Sequence, residues 1–120
     1  MRIKPIDRHE KWFDIPNDPD KGRILIGEAS QSDIFEVVNA AALRSARSEV
    51  SPESEYLREF YSRHILDWEN ILNERGELLP CTYENKVRVL NTPELFNVIL
   101  TAVNEVRDEG MKAREEAEKN

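Results

Sequence analysis

Ser51-Pro-Glu-Ser-Glu-Tyr-Leu-Arg-Glu-Phe-Tyr-Ser-Arg-His-Ile-Leu-Asp-Trp68 is the stretch on which the fold turns. It opens with a capping hydroxyl, a proline at the first helical position and acids in the first turn, a strong helix start. Leu57, Phe60, Tyr61, His64, Ile65 and Trp68 then recur at three- and four-residue spacing. That period predicts one amphipathic helix running through Trp68.

Upstream, Lys11-Trp-Phe-Asp-Ile15 and Arg23-Ile-Leu-Ile-Gly27 flank Pro16-Asn-Asp-Pro-Asp-Lys-Gly22. The two runs have strand character and the segment between them is rich in turn formers, so a hairpin with a long loop is predicted over 1–28, with a free φ at Gly22. Ile3 and Ile6 could extend it, with Pro5 confining that piece to an edge. A lone hairpin is marginal in water, so it must pack on the helices that follow. The first of these starts at Ser30 or Ser32 and runs through Arg47, with Ile34, Val38, Ala41 and Ala42 as its inward stripe and Phe35 and Val37 widening it.

Downstream, Ile71-Leu72 and Leu78-Leu79 bracket Asn73-Glu-Arg-Gly76, which reads as a small hairpin or irregular connection around 70–80. Pro80 ends it and Thr82 caps a short helix, Tyr83 to Leu90, with Val87 and Leu90 inward. Thr92-Pro93-Glu94 starts a last helix striped by Leu95, Phe96, Ile99, Leu100, Val103 and Val106. The expected fold is therefore α+β and mostly helical: an N-terminal β-hairpin, then four or so α-helices. A single compact domain over 1–106 (helical body 30–106) carries a charged C-terminal extension, 107–120, helical or frayed.

Composition narrows the function. Lys+Arg 17 against Asp+Glu 24 gives a net charge of −7 in 120 residues, which disfavours nucleic acid as a partner. No apolar run approaches the ~18 residues of a membrane span, and the start lacks an apolar signal core. The single cysteine, Cys81, excludes a disulfide framework and fits a reducing, cytoplasmic setting. A chain of this mass should fold to about 6,700 Å² of surface.

The chemistry-bearing residues form no catalytic set. His9-Glu10 and His64 with Asp67 give no metal-ligand spacing, and His64 lies on an apolar stripe, where a hydrogen-bonded core histidine is expected. Cys81 beside Pro80 has no activating signature and reads as a small buried hydrophobe. Glu53, Glu55, Glu59, Asp67 and Glu69 fall mostly on a solvated helix face. Asp7, Asp14, Asp18 and Asp20 do not fit a calcium loop. Trp68 is expected in the core with its indole N–H bonded, whereas Trp12 and Phe13 on an edge strand are candidates for binding a partner. The reading is non-enzymatic, without catalytic, metal-binding or cofactor-binding residues.

One set of motifs goes further. Ile65-Leu-Asp-Trp-Glu-Asn-Ile71, Gly76-Glu-Leu-Leu-Pro80, Thr82-Tyr-Glu-Asn85, Leu90 and Pro93-Glu-Leu95 resemble the core pattern of tail assembly chaperones of long-tailed bacteriophages and prophages. Trp12-Phe-Asp-Ile-Pro-Asn-Asp-Pro-Asp-Lys-Gly22 is similar to their opening hairpin. In that pattern Asp67, Trp68 and Glu69 lead into a turn at Gly76 and Pro80, and Thr82, Glu84 and Asn85 start the next helix. The resemblance implies binding of tape-measure and tail-tube proteins in the host cytoplasm, with self-association possible and neither nucleic acid nor membrane involved. A structural tail-completion or connector subunit of the virion is the alternative.

Overall fold

A computed structural model describes residues 1–2, 8–47 and 51–119. Strands β1 (Glu10–Asp14) and β2 (Arg23–Gly27) are followed by helices α1 (Gln31–Arg47) and α2 (Pro52–His64). Strand β3 (Ile65–Glu69), α3 (Tyr83–Leu90) and α4 (Pro93–Lys119) complete the chain. The fold is α+β and mostly helical. The strands form one antiparallel sheet in the order β1-β2-β3, so the hairpin has a third strand that the sequence reading assigned to a helix. The extended piece expected around Ile3 and Ile6 lies outside the described residues.

Helix α2 starts as its sequence dictates, with the Ser51 hydroxyl accepting from the Ser54 N–H. It stops at His64, where Ile65 turns to φ −84°, ψ 106° and enters the sheet. Strand β3 pairs Asp67 with Leu25 but Ile65 with Ile26, leaving Leu66 as an extra, bulged residue. Ile65 and Trp68 consequently both reach the core although three positions apart.

The β1–β2 loop is held by Asp18, whose carboxylate accepts from the N–H groups of Asp20 and Gly22 at 3.1 and 2.9 Å. Positive φ falls on Asn17 and Lys21, not on Gly22 as expected. Gly22 is needed for space: a Cβ there would lie 2.7 Å from Asp18 Oδ2. The turn after β3 follows its sequence closely. Asn73 Oδ1 accepts from the N–H groups of Arg75 and Glu77, and Gly76 sits at φ 78°.

The core joins Ile24 and Ile26 of β2 and Ile65 and Trp68 of β3 to Val89 and Leu90 of α3 and to Ile99, Ala102, Val103 and Val106 of α4. In α3 the inward pair is thus Val89 and Leu90, with Val87 half-buried. Helix α4 continues unbroken to Lys119. Beyond Val106 its first turns stay on the sheet: Glu109 meets His9 Nε2 at 2.7 Å and Lys11 Nζ at 3.1 Å, and Arg114 holds Glu28 through two bonds of 2.9 and 2.8 Å. Gly110 is buried there because Glu28 occupies the place a Cβ would take.

Candidate functional site

Helix α1 begins with a reciprocal box in which the Asp33 N–H donates to Ser30 Oγ and Asp33 Oδ2 accepts from the Ser30 N–H, so Ser30 is the cap. Its inward residues are Val37 and Ala41. The wider stripe expected of it is not covered: Phe35 is 64% exposed and Val38 52%. Helix α1 packs chiefly on α2, with Val37 and Ala41 buried. Leu57 on α2, also expected inside, is 50% exposed.

A cavity lies along the same two helices. Val38 lies one turn beyond Ile34, and Leu57 one turn before Phe60 and Tyr61, on the same helix faces. Ile34, Phe60, Tyr61 and, from α4, Val103 give apolar walls to a space of about 220 Å³, with the exposed Asn104 and Arg107 at its edge. The aromatic walls are fixed by edge contacts, Phe60 on His64 at 4.8 Å and Tyr61 on Phe96 at 5.4 Å between centroids. His64 forms another wall. It is 5% exposed and its Nδ1 meets the Gly27 carbonyl oxygen at 2.8 Å, which makes Nδ1 the protonated nitrogen of the neutral ring. Nε2 is buried and has no hydrogen-bond partner among the described residues. Burial holds the imidazole below its ordinary value of 6.5, and the Arg8 and Arg107 charges act in the same direction.

Between α1, α2 and α3 runs a polar groove of about 500 Å³. Glu59, assigned by sequence to a solvated face, is 2% exposed there and accepts from Arg44 Nε at 2.6 Å. Arg44 lies over the Tyr83 ring at 3.8 Å. Burial, followed by the Glu59 charge, pushes the Tyr83 phenol up to about 12. Glu55 is buried too, against Arg58 at 3.3 Å. The pairing of Glu59 with Arg44, 15 positions away, is a long-range event that no local spacing announces. It is a locked ion-pair network, with its carboxylates neutralised by guanidinium groups rather than paired with one another for proton transfer.

The motif residues assemble a structural joint. Trp68 is buried and its Nε1–H donates to the Leu79 carbonyl at 2.7 Å. Its backbone N–H donates to Asp67 Oδ1. Glu69 meets Arg23 at 3.4 Å. Thr82 caps α3 by accepting from the Asn85 N–H, while Asn85 Nδ2 donates to the Pro80 carbonyl at 2.9 Å. Glu84 is exposed in the first turn of α3 and Gly76 projects into open space. On β1, Phe13 packs against the core, and Trp12, on the opposite face, lies under the Arg23 guanidinium at 4.8 Å. Cys81 is half-buried against the core, and burial pushes its thiol up. Among the described residues no cluster of His, Cys, Asp and Glu could hold a metal ion, and no helix is long and apolar enough to cross a membrane.

The fold and the joint around Trp68 define a small, mostly helical α+β protein. Residues 26–120 match the YdaY prophage protein family, and the chain belongs to it. Comparison with curated proteins and with solved structures finds no match.

Proposed function

We propose that this prophage protein is a non-enzymatic assembly factor, a tail assembly chaperone that holds tape-measure and tail-tube polypeptides in the host cytoplasm while the tail is built. The observation that carries the reading is surface. The chain exposes 8671 Å², against about 6,700 Å² for a compact monomer of its mass. That surface is larger than a compact body of this mass shows. Part of it is apolar: Phe35 and Val38, three positions apart on α1, and Leu57 on α2. Exposed apolar patches of this kind mark sites where proteins bind.

Such a surface suits a client that is itself a long helical or extended polypeptide, covering the cleft until assembly releases it. Co-expression with the tape-measure protein of the same prophage tests this. The expected result is a soluble complex that co-elutes, together with absence of the chain from purified particles by mass spectrometry. An insoluble tape-measure protein with no co-eluting complex overturns the proposal. Presence in particles at fixed copy number would make the chain a virion subunit instead.

A further inference from the structure

Strand β1 is the outer strand of the sheet and pairs with β2 on one side only. Two bonds fix which of its residues face that neighbour: the Ile15 N–H donates to the Gly22 carbonyl at 2.9 Å, and the Glu28 N–H to the His9 carbonyl at 3.0 Å. Bonded and non-bonded pairs alternate along an antiparallel ladder. Lys11 and Phe13 therefore turn their backbone groups toward β2, and Glu10, Trp12 and Asp14 turn theirs away from it. Among the described residues no hydrogen bond reaches those outward groups. Helix α4 lies chiefly on β2 rather than on β1.

The same three residues share one face of the sheet, opposite Phe13 and the core. Glu10 and Asp14 are exposed and flank the half-buried Trp12. Register places Leu25 beside Trp12 and Asp67 beyond it, with Arg23 and Glu69 alongside Asp14. Arg23 lies over the Trp12 ring and meets Asp14 at 3.3 Å and Glu69 at 3.4 Å. It is the one cation that the three strands carry on this face, and Glu10, Asp14, Asp67 and Glu69 outnumber it.

We infer that the free edge of β1 receives an extended segment of another protein as a fourth, antiparallel strand, with basic side chains opposite Glu10 and Asp14 and an apolar one opposite Trp12. A strand edge with unpaired N–H and C=O groups is a template for a further strand. Charge decides which strand it takes. A second copy of this chain, laid antiparallel about Trp12, would set Glu10 against Asp14 at both ends, and in parallel register it would set each acid beside its own counterpart. Like charges directly opposite are destabilising, so the acids that discourage a second copy favour a basic segment. Binding here goes beyond the assembly role proposed above: the edge belongs to other elements than Phe35, Val38 and Leu57, and its occupant need not be a tape-measure protein.

The test uses the full-length protein, with amide hydrogen exchange followed by NMR. The probe is a short capped peptide with a central valine, a lysine two positions to each side of it and threonine elsewhere. It should bind and slow exchange at the Glu10, Trp12 and Asp14 amides, with little change at Lys11 and Phe13, which already face β2. The same peptide with glutamate for lysine should bind roughly tenfold more weakly. N-methylation at the valine and the two lysines, whose N–H groups would face the edge, should abolish binding, and N-methylation at the threonines between them should not. Glu10→Lys with Asp14→Lys, both at exposed positions, should turn the preference toward the glutamate peptide. The peptide comparisons on the unaltered chain decide the matter even if that variant does not fold. No slowing at Glu10, Trp12 and Asp14, equal binding of the lysine and glutamate peptides, or equal effects of the two N-methylations overturns the inference. The opposite N-methylation pattern overturns its antiparallel direction. Slowing of the three amides by rising protein concentration alone overturns it too, because the edge then belongs to a second copy. None of these readouts involves the tape-measure protein, so strand addition at β1 can stand while co-expression fails, and the reverse.

Discussion

Helices α1 and α4 are both amphipathic, and they use their apolar faces in opposite ways. Helix α4 presses Ile99, Ala102, Val103 and Val106 onto the sheet, where all are buried. Helix α1 buries Val37 and Ala41 on α2 and leaves Phe35 and Val38 to solvent. The difference separates a half of the molecule that holds the fold from a half that offers surface. In the first, burial of branched side chains supplies stability. In the second, apolar area is retained without contributing to it.

The comparison can be broken most severely in the core. Ile99→Ala removes a fully buried side chain between α4 and the sheet and should cost about 3 kcal/mol in denaturant unfolding. That is a large share of the ~5–15 kcal/mol available to a domain. A loss under about 1 kcal/mol would mean that α4 is not the structural half. An intermediate effect is expected at the boundary, through pH. His64 resists protonation in the folded state because it is buried, whereas the unfolded chain accepts a proton at the ordinary value of 6.5. Stability attached to this group is therefore complete above that value and falls as pH drops through it, in a range well above the acid titration of Glu28 and Glu109. Urea midpoints measured between about pH 7.5 and 5 should decline, and His64→Leu should flatten the slope. Identical slopes in the two proteins would place the loss elsewhere. The smallest effect on folding is expected in α1. Phe35→Ser with Val38→Ser should change stability by no more than about 0.5 kcal/mol, yet abolish co-elution with the tape-measure protein. A large loss of stability would show that this flank is covered within the chain.

Much of the fold was legible because local chemistry fixes it. Ser30, Ser51 and Thr82 cap the helices they precede, and Asn73 and Gly76 make the turn their sequence announces. Strand β3 was not legible for a specific reason. A strand buries alternate residues, but the bulge at Leu66 moves the second inward residue from position 67 to Trp68. Ile65 and Trp68 then stand three apart, the spacing of a helix face. The cleft was hidden by a different ambiguity: periodicity reports that α1 has an apolar face, and says nothing about whether the same chain covers it. The burial of Glu59 depended on Arg44 arriving from another helix. The residues around Trp68 form a joint between β3, the turn after it and α3, and the family match to residues 26–120 takes in that joint.

Helix α2 passes into strand β3 at His64–Ile65 without a linker. The floor of the cleft is thereby welded to the sheet and cannot swing by itself. Helix α1 rests chiefly on α2 rather than on the sheet, so its packing is communicated to the strands through α2.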